Sequence, residues 1–283
     1  MKYYMNYRRI LLYLIFTIAM GLSCVKAEDL DLRNRGILHI QDTARNEIVY
    51  VHIAIDPKKN NERKVTYEML TFGNRLSHYG GYENYQLDSI YMADPTLRLE
   101  PQESYNLYKQ YDTIRDSMTI DRSNGTLTYY GAIFINYYRY TEPVPEIEWE
   151  LHNETETVLG YLCHKATANW RGREWTAWYS DIPEDAGPWK FQGLPGLILK
   201  IEDSSGQHYF EAIGVKNDVF PFGYKDRLYS RTTREKLAKS MEDYAENFTR
   251  IAADSGMILE SEEHLEKLRK SKRRKFYAPI ELE

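Results

Sequence analysis

Trp170-Arg171-Gly172-Arg173-Glu174-Trp175-Thr176-Ala177-Trp178-Tyr179 carries the plainest structural signal in the chain. Arg171-Gly172 is a tight-turn candidate between two arms, Val158 to Trp170 and Arg173 to Tyr179. In the second arm Trp175, Ala177 and Tyr179 face one way and Glu174, Thr176 and Trp178 the other, which is the period of two that a strand requires. Two such arms about a two-residue turn make an antiparallel hairpin.

The same signal repeats outward. Leu197 to Glu202 returns through Asp203-Ser204-Ser205-Gly206 to His208 to Val215, a second hairpin. Glu146 to Leu151 sets acids at alternate positions against Ile147, Trp149 and Leu151, the pattern of a half-buried strand. Asn124-Gly125 is a turn signal, followed by a strand pair or one bent strand over Thr126 to Tyr140. Lys64 to Phe72 puts Val65, Tyr67, Met69 and Thr71 on one face. Ile37, Leu38 and Ile40 face Ile48, Tyr50 and His52 across polar Asp42 to Asn46, which predicts an N-terminal hairpin. A polar helical pattern runs through Tyr105, Tyr108, Tyr111 and Ile114. Late in the chain the period changes. Thr232 and Glu235 offer a capping box, and Leu237, Met241, Tyr244, Phe248 and Ile251 recur at three or four, a helix to about Ala253. Ser261 caps a second helix to about Lys272. These elements predict a predominantly β (α+β) fold: a twisted antiparallel sheet or open half-barrel with C-terminal helices packed on it.

The chain has 283 residues, 42% of them hydrophobic, and 25 are tyrosines, whose amphipathic rings suit half-wet strand faces. It opens with Lys2, Arg8 and Arg9, then an apolar run from Ile10 to Met20, then Val25-Lys26-Ala27. That is the layout of a secretory signal, and the run is short of the roughly 20 residues a spanning helix needs. Cleavage after Ala27 is favoured over a lipid anchor at Cys24, because Gly21 stands where a lipobox wants a branched apolar residue. The expected parts are a signal peptide at 1–27 and a single domain at 28–283, with 28–63 as an N-terminal extension. Cleavage would remove Lys2, Arg8, Arg9 and Lys26 and leave 33 Lys+Arg against 42 Asp+Glu, a net charge of −9. So acidic a chain is a poor nucleic-acid binder. Cys163 would be the single cysteine left, so no disulfide framework is expected.

Gly187 to Ile201 contains Gly193-Leu194-Pro195-Gly196-Leu197-Ile198. Upstream lie Glu156-Thr157-Val158-Leu159-Gly160-Tyr161-Leu162-Cys163-His164-Lys165-Ala166 and an aromatic strand ending at Ile182-Pro183; Tyr277-Ala278-Pro279-Ile280-Glu281-Leu282 closes the pattern. Together they resemble the GLPGLI family, secreted proteins of Bacteroidetes-type bacteria with no established activity. The resemblance implies a secreted protein and transfers no catalytic residue. By its own chemistry the hexapeptide reads as a turn into a core strand. Glycine permits positive φ or close approach, proline fixes φ, and the apolar residues fill a core. It lacks the spacing of a phosphate loop.

Cys163 and His164 are neighbours on a strand and so point to opposite faces. The favoured reading of Cys163 is an inert buried thiol. His39, His52, His78, His152, His164, His208 and His264 show no short ligand spacing, and Glu146, Glu148 and Glu150 read as a solvated face, so no metal or cofactor is expected. The basic run Lys267 to Lys275 reads as a helix C-terminus. The ligand-site candidates are Trp170, Arg171, Arg173, Trp175, Trp178, Trp189 and Phe191, a cluster that lines a groove or packs a core, with core the commoner outcome.

The expectation is an envelope or periplasmic protein that binds a small ligand or an outer-membrane partner without catalysis. The alternatives are a peptidase-like hydrolase and an accessory to outer-membrane uptake or transport. No transmembrane span is expected in the mature chain.

Overall fold

The computed structural model describes residues 37–94, 103, 106, 116–134, 136–217, 219–226, 228–255, 261–271 and 273–283. The expected signal peptide, Cys24, and the helix through Tyr105, Tyr108, Tyr111 and Ile114 lie outside these residues.

In chain order the strands are β1 (Ile37–Thr43), β2 (Asn46–Asp56), β3 (Glu62–Phe72), β4 (Leu76–Gly81), β5 (Ser117–Asp121), β6 (Thr126–Ile133), β7 (Asn136–Pro143), β8 (Glu150–Val158), β9 (Tyr161–Trp170), β10 (Arg173–Ser180), β11 (Ile198–Asp203), β12 (His208–Lys216), β13 (Pro221–Asp226) and β14 (Tyr229–Arg231). The helices described are α1 (Tyr82–Ala93), α2 (Arg234–Asp254) and α3 (Glu262–Lys270). Twelve strands form one open sheet in the order β14-β7-β6-β5-β4-β3-β2-β12-β11-β10-β9-β8. It consists of two meanders, β2 to β7 and β8 to β12, joined where β12 pairs antiparallel with β2. Among the described residues only β14 against β7 is parallel, which makes the sheet mixed.

Turn chemistry sets the hairpins. Arg171 (φ 50°) and Gly172 (φ 74°) are both left-handed, the geometry whose twist matches flanking strands. Trp170 is therefore paired with Arg173. Leu159 (φ 51°) and Gly160 (φ 80°) repeat it between β8 and β9. The arm expected to run unbroken from Val158 to Trp170 is thus interrupted by a second tight turn.

Two apolar clusters form the core. One gathers Ile48, Tyr50, Phe72, Tyr79, Leu127, Tyr129, Leu197 and Leu199 from both meanders, with Leu237 of α2. The other packs Trp170, Trp175, Phe191, Ile198, Ile201 and Phe210 with Ile280 near the C-terminus. Burying a side chain of this size contributes about 1.5–3 kcal/mol.

Three local expectations are corrected. β1 does not pair with β2; it pairs with β13 in a separate two-stranded sheet. The ladder partners of β2 are already supplied by β3 and β12, and the carboxylate of Asp42 accepts from the backbone N–H groups of Arg75 and Leu76 (2.8 Å each) instead of turning a hairpin. The expected alternation holds in exposure from Glu146 to Glu150 but fails at Leu151, which is exposed, and ladder pairing starts only at Glu150. The N-cap of α2 is Thr233, whose hydroxyl accepts from Lys236 N, one residue later than the capping box predicts.

Candidate functional site

The segment from residue 273 to 283 has no regular structure, so its backbone groups need partners elsewhere. It finds them along the sheet. Tyr277 N–H donates to Asp56 (2.9 Å), and the Arg173 guanidinium donates to the carbonyls of Pro279 (2.8 Å) and Ile280 (2.9 Å). Leu282 N–H donates to the carbonyl of Arg171 (3.0 Å), which fastens the tail to the β9–β10 turn. The tail is thereby strapped across one end of the sheet.

Between this strap, α2 and the sheet lies a cavity of ≈ 530 Å³. The sheet supplies one wall. His52 and Ala54 come from β2, Thr66 and Glu68 from β3, Tyr79 from β4, Tyr129 from β6 and Tyr140 from β7. The helix adds Arg234, Leu237, Met241 and Tyr244, the strap adds Tyr277 to Glu283, and Trp189 closes one end from the loop before β11.

Two polar clusters are built into the wall. In the first, Glu68 is buried and accepts from His52 Nδ1 (2.8 Å), Thr66 Oγ1 (2.9 Å) and the Tyr79 hydroxyl. Burial alone would raise its pKa, but the adjacent His52 and the three hydrogen bonds together hold it below the usual carboxylate value. His52 Nε2 meets His208 Nδ1 at 3.2 Å, and His208 Nε2 meets the Pro279 carbonyl at 3.1 Å. A carbonyl only accepts, so His208 donates from Nε2 and accepts at Nδ1. Burial, then the neighbouring His52 and Arg173, lower the His208 pKa to about 3. The His52 ring also stacks on Phe210, centroids 3.9 Å apart. Both His52 ring nitrogens are thus engaged, Nδ1 by the Glu68 carboxylate and Nε2 by the His208 ring.

In the second cluster the fully buried Lys190 ammonium contacts Glu142 Oε1 (2.7 Å), Glu281 Oε1 (2.7 Å) and the Tyr140 hydroxyl (2.9 Å). Arg171 and Arg234 flank the same two carboxylates. The Trp189 indole N–H donates to Glu281 Oε1 at 3.0 Å. Burial raises the pKa values of Tyr79, Tyr129 and Tyr140, so these phenols stay neutral donors.

Of the seven ligand candidates from the sequence, Trp189 lines the cavity. Trp170, Trp175 and Phe191 lie in the core, where Trp175 and Phe191 rings meet edge-on at 4.5 Å. Arg173 is buried and serves the strap and Asp203 (2.8 Å). Arg171 takes part in the second cluster from outside the cavity lining, and Trp178 packs against the first core cluster. In the hexapeptide, Gly193 has φ 91°, and Leu194, Leu197 and Ile198 are buried. Pro195 and Gly196 carry the chain against the end of β10, where Leu197 N–H donates to Ile182 O (3.0 Å). Cys163 is buried, burial raises its pKa, and it does not line the cavity. Its neighbour His164 points instead to Asp181, 3.6 Å away.

Glu68, Tyr79, Arg234 and Glu281 are site residues that the sequence does not single out. A signal existed for Glu68, a lone acid entering the apolar run Met69-Leu70-Thr71-Phe72. Among the described residues no group of three or more His, Cys, Asp or Glu side chains is arranged to hold a metal ion, and no helix is long and apolar enough to cross a membrane.

The family described as "Protein of unknown function (Porph_ging)" matches residues 170–200, from the β9–β10 turn through the hexapeptide into β11. No curated protein matches the chain. Among solved structures it is similar to PNGF-II in two crystal forms, at 16% and 17% identity with TM-scores of 0.46 and 0.45. Each match covers 71% of this chain, which spans only 33% and 32% of those chains. Likeness at this level is no guide to activity.

Proposed function

We propose that the protein is a binding protein that takes a small ligand into the cavity between the sheet, α2 and the C-terminal strap. The observation that carries this reading is the cavity itself. Its ≈ 530 Å³ falls within the ~300–1,000 Å³ typical of small-molecule sites, and its wall combines aromatic rings with a few fixed polar groups. The hydrogen bonds of Glu68 and His52 hold that part of the wall in place. The leader-like segment at 1–27 and the likeness to the GLPGLI pattern support placing this activity in the cell envelope, outside the inner membrane.

Ala132 lines the cavity from β6, so Ala132→Trp should fill it. A fragment library screened by ligand-observed NMR is expected to give hits on the wild-type protein that are lost in Ala132→Trp, with both proteins melting cooperatively. Hits that persist undiminished in the variant, or no hits on the wild type, would remove the cavity as the binding site. Export is checked separately by fusing residues 1–27 to a phosphatase active only in the periplasm; an inactive fusion would contradict envelope placement.

A further inference from the structure

The cavity is long and its length is apolar. Its lining follows α2 from Arg234 to Ala245, about 16 Å of helix at 1.5 Å per residue. Along that length Leu237, Ala238, Met241, Tyr244 and Ala245 line it, an apolar ridge at helical spacing. The sheet adds Ala54, Ala132 and Ile133, and the strap adds Phe276, Ala278, Ile280 and Leu282. Alanine at 54, 132, 238, 245 and 278, with Gly80 and Gly81, leaves the room that larger side chains would fill.

The polar groups of the wall are engaged with one another. Glu68 is held by His52, Thr66 and Tyr79, and the Tyr277 hydroxyl donates to the Ala238 carbonyl (3.2 Å). Tyr129 bonds Asp116, Tyr140 accepts from Lys190, and the Trp189 indole donates to Glu281. The Pro279 and Ile280 carbonyls are taken by Arg173. The two lining atoms without a hydrogen bond, Arg234 Nε and Glu281 Oε2, are buried beyond a guest's reach. Among the described residues no Ser, Asn or Gln lines the space, the neutral side chains that would orient a hydroxyl-rich guest. The lining charges are of both signs and answered locally: Arg234 stands 3.0 Å from Glu235 and 3.6 Å from Glu281, and Lys275 lies over the Tyr244 and Phe248 rings at 5.0 and 5.6 Å. A charged guest of either sign would lose its hydration and meet like charges as well as opposite ones.

We infer that the cavity takes a neutral molecule with a long aliphatic chain, of fatty-alcohol or glyceride chemistry, its chain lying along α2. This rests on the cavity-binding reading above and names its ligand class. The folded protein is titrated with N-phenyl-1-naphthylamine, a neutral apolar fluorophore, and the bound dye is displaced with 1-hexanol, 1-octanol, 1-decanol, decanoate and decyltrimethylammonium below their aggregation concentrations. The alcohols are expected to displace the dye with affinity rising about fourfold per added methylene, the increment for burying one CH₂. Both charged chains should bind at least about tenfold more weakly than 1-decanol, because their heads lose hydration without a free partner. Met241→Lys sets a cation on the half-buried middle of the ridge. In that variant 1-decanol should weaken about tenfold and decanoate should become the better ligand, a reversal that simple loosening of the fold would not give. Melting curves report whether the variant is folded, and the wild-type series stands without it. A charged chain that binds as tightly as 1-decanol overturns the neutral class, and affinity that does not rise with chain length overturns the aliphatic one. Unchanged ranking in folded Met241→Lys overturns the placement along α2. Fragment hits that are lost in Ala132→Trp, with no binding of dye or alcohols, overturn the ligand class and leave the cavity reading in place. If dye, alcohols and fragments all fail to bind, both readings fall.

Discussion

A Cβ built on Gly196 would stand 1.8 Å from the Ser180 carbonyl oxygen and 3.1 Å from that of Ile182. Both obstacles are backbone, so no side-chain rotation relieves them. Gly196→Ala is therefore expected to cost about 3 kcal/mol or more, the upper end for overpacking a tight site. Gly214→Ala, with nothing within 4 Å of the added carbon, should stay within about 0.5 kcal/mol. Urea unfolding of the two variants checks the contrast; equal midpoints would mean that the β10–β11 connection tolerates separation. The need for glycine there was legible in the sequence as the Gly193-Leu194-Pro195-Gly196 punctuation. The partner backbone that creates the need was not, because Ser180 is brought to Gly196 only by the hydrogen bonds of Ser180 and Leu197 (2.9 Å) and of Leu197 and Ile182 (3.0 Å).

Among the elements, α2 matters most to the site because it forms one wall of the cavity. Its apolar positions at three and four residue intervals turn Leu237 and Tyr244 inward, and these could be read directly from the period. Its start is fixed by Thr233, whose hydroxyl satisfies one of the N–H groups a helix leaves unpaired. Thr233→Ala should destabilise the protein by about 1 kcal/mol, while Thr232→Ala should be near neutral. Thermal melting distinguishes them, and a larger loss for Thr232→Ala would place the cap where the capping-box reading puts it. The hairpin arms were legible for a related reason, since period-two alternation and Asn-Gly or Arg-Gly turns are local. The pairing of β1 with β13 was not, because strands of the same pattern compete for the same edge and only the whole sheet decides which edge is free.

Across the entire protein, the run from Glu68 through His52 and His208 to Pro279 ties both meanders to the C-terminal strap. It also makes stability depend on pH. His208 has its folded pKa depressed to about 3 from 6.5, so between those values the unfolded chain binds the extra proton. The stabilisation is complete above pH 6.5 and is lost as pH falls toward 3, at up to about 1.4 kcal/mol per pH unit. Glu68 and Asp203, whose pKa values are also lowered, add losses in the same direction at the acid end of that range. Unfolding midpoints in urea are expected to fall from about pH 6.5 to about pH 4.5, and the slope should flatten in His208→Gln, which keeps a donor and an acceptor without a titrating ring. An unchanged slope in that variant would assign the dependence to other groups.

The β-rich class, the principal hairpins, the two late helices and the glycine-proline turn all follow from the amino-acid order alone, because each rests on period or turn chemistry within a few residues. Trp189 stood in the sequence among seven candidates with nothing to separate it from the others. It took the folded chain to place Trp170, Trp175 and Phe191 inward while Glu68, His52, Arg234 and Glu281 meet around a cavity. Those four come from β3, β2, α2 and the strap, and residues so far apart in the chain become neighbours only after the two meanders join and the tail crosses them. Whether an aromatic or a charge faces core or cavity is set by what packs against it, and local pattern carries no record of that.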